Sequence, residues 1–189
     1  MSRFKTLSST IIDKNPFNEY KKDKFETENG QKGEYYYIET NGASLVIPIT
    51  DDGRLILVSQ YRYLKDKLSI EFPCGGIADK ETPTEAVKRE LLEETGYQAK
   101  EFIKVGDFES ANGLLKDQFN VYIGLEVEKV SEPVLEINGE ELEVMLRRPD
   151  EFDEMIKRGD IWDGQTLASW TLAREHVLKI INEYGLQTN

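Results

Sequence analysis

Residues 75–97 read GGIADKETPTEAVKRELLEETGY, and this stretch decides the fold. Thr82 is an N-cap residue, Pro83 suits the first helical position and Glu85 completes a capping box, so a helix is predicted over residues 83–95. Ala86, Val87 and Leu91 supply its apolar stripe, and Gly96 is placed to end it. Glu90 lies three and four residues before Glu93 and Glu94, so all three carboxylates share one helical face. Like charges at that spacing destabilise a bare helix by a few tenths of a kcal/mol. Such a cluster is either solvated surface, the usual fate of an acidic face, or a site for a hard cation. Carboxylate oxygens are the ligands that Mg²⁺ prefers. Gly75, just ahead of the helix, permits close backbone approach to a metal or a phosphate.

Upstream, the chain reads as strands joined by tight turns. Strands are expected at 4–12, 20–28 and 33–40, with turn clusters at Asp13-Lys14-Asn15-Pro16, Asn29-Gly30 and Asn41-Gly42. Ala43 to Ile49 is almost wholly apolar and reads as a central strand, followed by a strand over 55–61. Downstream, strands are expected at 102–108, 118–127 and 143–146, then helices at 150–158 and 165–184. Mixed strands with late helices predict an α+β or α/β sandwich.

Composition narrows the function. The 189 residues carry 24 Lys+Arg against 36 Asp+Glu, a formal net charge of −12. That balance argues against binding nucleic acid or an anionic membrane, because both need a positive face. No apolar run is long enough to span a bilayer, and Met1 to Asp13 lacks the pattern of a signal peptide. The single cysteine, Cys74, excludes an internal disulfide, and the single histidine, His176, excludes a multi-histidine zinc site. A cytoplasmic protein is expected.

The spacing Gly75, Glu81, Arg89-Glu90-Leu91, Glu93-Glu94, Gly96 closely resembles the signature of the Nudix hydrolases. Tyr97 departs from that pattern, which ends on a bulky aliphatic residue, and the departure touches packing alone. The resemblance implies an α/β/α sandwich around a mixed sheet, with the signature forming a loop, a helix and a loop. It implies that Glu90, Glu93 and Glu94 bind Mg²⁺ or Mn²⁺, with the backbone carbonyl of Cys74 as a further ligand. It also implies that Glu81 and Arg89 support the loop and helix through an ion pair. Divalent cations neutralise a diphosphate, orient it and lower the pKa of water, which is what an anionic anhydride needs for hydrolysis.

Further segments resemble the branch of the family acting on ADP-ribose and nucleoside-diphosphate sugars. They are Asn15-Pro16-Phe17, Gly33-Glu34-Tyr35-Tyr36, Gln60-Tyr61-Arg62, Glu71-Phe72-Pro73-Cys74-Gly75 and Gly159-Asp160-Ile161-Trp162-Asp163. The branch implies a homodimer mediated by an N-terminal β-rich region, here 1–42, beside a catalytic domain at 43–189, with strand exchange left open. Tyr35 to Tyr37 read as ordinary strand packing rather than base stacking. Arg62 is a candidate phosphate or ribose contact, since its fork suits oxyanions, or else a surface ion pair. Glu71 is a candidate nucleoside contact or the end of a strand, and Gly75 joins them as a substrate-approach position. The branch also takes a general base from a later loop, where Glu140, Glu141 and Glu143 stand and Glu141 is preferred. Many ADP-ribose pyrophosphatases carry a proline in the loop after the signature, and the matching position here falls on Gly113. That difference favours a nucleotide sugar such as GDP-mannose. A catalytically silent nucleotide sensor is the alternative from another class, although such proteins usually carry a degraded signature.

Overall fold

A computed structural model describes residues 3–134 and 142–183. The chain forms two compact units. One is built from the residues up to Gly42 together with Glu109–Gln118; the other is built from Ala43–Phe108 and the residues from Phe119 onward. The first unit thus takes in a short segment from well beyond residue 42.

The first unit is a four-stranded sheet in the order β1-β2-β3-β9. β1 (Phe4–Lys14), β2 (Glu19–Thr27) and β3 (Lys32–Glu39) form an antiparallel meander, and the two-residue β9 (Leu115–Lys116) adds to β3 in parallel. The turn after β1 is fixed by Asn15, whose side-chain oxygen accepts from the backbone N–H groups of Phe17 and Asn18 at 2.8 and 3.0 Å. Tyr35 donates its hydroxyl to the Gly113 carbonyl at 2.7 Å, tying β3 to the loop before β9.

In the second unit, β4 (Ala43–Pro48) lies between β7 (Cys74–Gly76) and β10 (Gln118–Lys129), with β8 (Tyr97–Glu109) outermost. β4 is parallel to β10 and antiparallel to β7, so the sheet is mixed. A second sheet pairs β5 (Leu55–Arg62) with β6 (Lys67–Glu71) and β11 (Glu143–Arg147). A 3₁₀ turn, Tyr63–Lys65, links β5 to β6. Both faces of β4 and β10 are covered, which explains their unbroken apolar runs. Val46 and Tyr122 pack on Val87 and Leu91 of α1 (Pro83–Thr95). Leu45, Ile47, Val121 and Ile123 point the other way, into a core with Phe152 of α2 (Pro149–Arg158) and Trp170, Ala173 and Val177 of α3 (Gly164–Glu183). Phe72, Phe152 and Trp170 form an aromatic cluster at that core, with ring centroids 5.0 to 6.2 Å apart. Helix, sheet and helix thus stack in layers, as expected for the α/β/α sandwich. Tyr97 is partly buried against the α1 cluster, a packing role.

The expected helices are present, α1 with the same bounds and a complete capping box. Tyr184, expected as the last residue of α3, lies outside the described residues. β6, β7 and β9 were not expected from the sequence. β8 is longer than expected because the chain turns straight from the end of α1 into the strand at Tyr97.

Candidate active site

The helix α1 is held at both ends by local chemistry. At its start, Thr82 and Glu85 satisfy each other's backbone N–H groups, at 2.8 and 3.2 Å. At its end, Gly96 takes φ +73°, and an added Cβ would sit 2.0 Å from the Ser131 carbonyl oxygen. Only glycine meets both demands. The carbonyl of Gly96 accepts from Val130 and Ser131, pinning the segment after β10 to the helix.

Arg89 organises the loop ahead of the helix. Its guanidinium donates to both Glu81 oxygens at 2.9 and 3.0 Å, to the Gly76 carbonyl at 2.9 Å, and to Glu90 and Glu93. Glu81 also accepts from the Ala78 N–H at 2.8 Å. The expected pair of Glu81 and Arg89 is thus one edge of a larger network, and that network raises the affinity of Arg89 for its proton, chiefly through Glu81.

The carboxylates separate into two environments. Glu90 and Glu94 face β7. Glu90 lies over Gly75, where an added Cβ would come within 2.0 to 2.5 Å of its carboxylate atoms. Glu94 accepts from the Cys74 N–H at 3.0 Å. Burial pushes the Glu94 carboxyl up to about 8, and the charge of Glu90 adds to the rise. Burial also raises Glu90, with Arg89 opposing. Glu93 instead stands half exposed, held by Arg89 at 3.0 Å. Among the described residues, no three His, Cys, Asp or Glu side chains converge on one point as a ready-made metal cage. The donor set nevertheless suits a divalent cation, because two half-buried carboxyls whose charged forms burial disfavours are both stabilised by a dication. Burial and the surrounding carboxylates raise the Cys74 thiol well above its ordinary range, so it stays protonated.

Arg62 and Glu71, expected as separate contacts, are paired with each other. Arg62 ends β5 and Glu71 ends β6; the guanidinium fork grips both carboxylate oxygens, through Nε at 2.8 Å and through Nη2. Glu71 is buried, at 3% exposure, and Gln60 reaches it at 3.4 Å. The Glu71 pair raises the Arg62 pKa, and Asp163 and Glu94 act on it in the same direction. Asp163 ends the segment Gly159-Asp160-Ile161-Trp162-Asp163. It caps α3, accepting from the Thr166 N–H at 2.7 Å. Its neighbour Trp162 donates to the Leu68 carbonyl at 3.2 Å and lies under the Lys67 ammonium at 4.1 Å. Gln60 and Asp163 are thus part of the charged neighbourhood that sequence spacing did not single out. Glu143 heads β11 and is exposed. Glu140 and Glu141 lie outside the described residues.

The NUDIX domain family model matches residues 40–170. An ADP-ribose pyrophosphatase of Bacillus subtilis is 30% identical over 142 residues, covering 75% of this chain and 76% of that one. A GDP-mannose pyrophosphatase of Yersinia enterocolitica is 28% identical over 189 residues, covering 93% of this chain and 97% of that one. A crystal structure of an ADP compounds hydrolase has a TM-score of 0.81 at 21% identity, over 95% of this chain and 97% of that one, which bears on the fold alone. The signature, the layered fold and the match over most of the sequence agree that this chain belongs to the Nudix family of hydrolases.

Proposed function

We propose that this chain is a Mg²⁺- or Mn²⁺-dependent pyrophosphohydrolase that cleaves the diphosphate of ADP-ribose or a related nucleoside-diphosphate sugar. Water adds across the anhydride, so ADP-ribose yields AMP and ribose 5-phosphate. The observation that carries the reading is the pair of half-buried carboxyls, Glu90 lying over Gly75 and Glu94 accepting from the Cys74 N–H. The similarity to an ADP-ribose pyrophosphatase and to a GDP-mannose pyrophosphatase supports the substrate class.

Nudix hydrolases generally use divalent metal, which when bound neutralises diphosphate oxygens and lowers the pKa of water. Glu90, Glu94 and the Cys74 carbonyl are the groups that would hold it, with Glu93 contributing from the rim. Arg89 then keeps Glu81 and the Gly76 carbonyl as partners, which preserves the loop. Glu71 keeps the Arg62 guanidinium aimed, and Arg62, the more exposed member of the pair, contacts substrate oxyanions. Glu141 is the preferred general base, with Glu140 and Glu143 as alternatives.

Two finer assignments go with this reading. The chain acts in the cytoplasm; its lone cysteine fits a reducing compartment, and among the described residues no helix is long and apolar enough to cross a membrane. It forms a homodimer through the first unit, whose β1 leaves Phe4, Leu7, Ile11 and Ile12 exposed. A preference for GDP-mannose is the second reading, favoured by Gly113 in the loop before β9.

The test is product formation with excess Mg²⁺ on ADP-ribose, GDP-mannose, UDP-glucose, NADH, diadenosine polyphosphates and 8-oxo-dGTP, beside Glu94→Gln. Turnover of ADP-ribose or a nucleotide sugar, abolished by Glu94→Gln, is expected. Activity on triphosphates or dinucleotides alone would discard the substrate class. Tight nucleotide binding without turnover would replace the enzyme with a sensor.

A further inference from the structure

The second unit holds a cleft of about 790 Å³ that no signature residue lines. Strand register fixes where it is. Arg147, on its wall, pairs with Leu55 at the first residue of β5, whereas Arg62 is the last residue of that strand. Seven residues at ~3.3 Å each put the two ends roughly 23 Å apart. The cleft therefore lies at the opposite end of β5 from Arg62 and Glu71.

Its basic side chains are all arginines. Arg54, Arg147, Arg148 and Arg158 line it and no lysine does, although lysines outnumber arginines two to one in the chain. A guanidinium presents a planar fork that matches two oxyanion oxygens at once, which an ammonium cannot do. Three of the four are paired: Arg54 with Asp52 at 2.6 Å, Arg148 with Asp150 and Glu151 at 3.0 and 2.9 Å, and Arg158 with Asp160 at 2.8 Å. Arg147 is half-buried and donates to the Leu146 carbonyl at 2.8 Å; among the described residues no carboxylate pairs with it. In a chain with twelve more acidic than basic residues, a half-buried guanidinium facing a cleft with no acid of its own leaves donor capacity for a ligand.

The wall also carries Asp52, Asp150, Glu151 and Glu154. Those carboxylates repel a bare anion but accept from hydroxyl groups. No aromatic side chain lines the cleft, so nothing there stacks on a nucleobase. We propose that this cleft is a binding site for a small phosphorylated sugar, its phosphate held by Arg147 with Arg158 and its hydroxyls donating to the acidic side chains. The volume is within the range of small-molecule sites. The site does not depend on the activity proposed above.

Calorimetric titration of the full chain with ribose 5-phosphate tests it, with inorganic phosphate and AMP as comparison ligands. The proteins are the wild type, Arg147→Gln/Arg158→Gln and Arg62→Gln, with melting curves to verify that each is folded. Saturable binding of ribose 5-phosphate is expected, weakened about ten-fold or more in the double variant. Arg147→Lys keeps the charge but not the fork, and should also weaken binding. Absence of saturable binding would overturn the proposal. So would binding that survives in the double variant and is lost in Arg62→Gln. Binding of phosphate or AMP that is tighter than that of ribose 5-phosphate and is lost in the double variant would overturn the ligand class.

Discussion

At Gly75 the missing side chain is a structural requirement set by one neighbour. A Cβ there would meet the end of the Glu90 side chain rather than backbone, so the carboxylate would give way and the fold would not. Gly75→Ala should therefore change stability by less than about 1 kcal/mol while lowering turnover by about 10²-fold, the scale of a 1 Å misplacement in a catalytic site. A melting curve beside a steady-state assay checks both halves. Glu94 makes a different demand. Its folded carboxyl, pushed up to about 8, lies above the ordinary 4.5, so its linked stability is fully present below pH 4.5 and lost as pH rises through 8. In chelator, Glu94→Gln should melt above the wild type at pH 8 and converge with it toward pH 4.5. The gap should reach up to about 4 kcal/mol. A variant that is no more stable at pH 8 would contradict the burial described for this carboxyl.

Among elements, α2 and α3 are joined by one acid. Asp153 accepts from Trp170 Nε1 at 2.8 Å and from Arg174 at 2.7 and 3.1 Å. Arg174 first, and Trp170 after it, hold the Asp153 carboxyl below its ordinary 3.8. A depressed acid contributes its stability above 3.8 and loses it as pH falls through the folded value. Asp153→Asn should cost about 1–2 kcal/mol near pH 7, a difference that shrinks below pH 4 in denaturant titrations. Legibility in the sequence also divides by element. α1 was readable to the residue because Thr82, Pro83, Glu85 and Gly96 act through their own backbones. β7 was not, because Cys74–Gly76 becomes a strand only by pairing with Ala43–Leu45. The three signature glutamates were legible as a group. Their division was not, since Arg89 and the backbone of Cys74 claim different members. Nor was the union of Arg62 and Glu71, which depends on the register of a hairpin whose 3₁₀ turn carries no strong turn signal. The preferred base, Glu141, lies outside the described residues and so rests on spacing alone.

For the whole molecule, the first unit is where assembly should be read. β1 is an edge strand of 11 residues, exposed along its full length, and it carries four large apolar side chains. Soluble proteins seldom leave such an edge uncovered. Light scattering after gel filtration should give a dimer for the wild type and a monomer for Leu7→Lys/Ile11→Lys; an unchanged mass for both would move the interface elsewhere. The same unit has an uneven history in time. Ile38 of β3 pairs with Leu115, so the fourth strand follows the third by 77 residues. At ~5–20 residues per second, translation takes roughly 4–15 s to deliver it. β4 waits about as long for its parallel partner, since Ala43 pairs with Phe119. Through that interval Ile38 and Glu39 have no partner from β9. Lys32, Glu34 and Glu39 place charge along β3, most of whose outer edge β9 leaves uncovered even in the finished fold, and charge on an open edge discourages pairing with another chain.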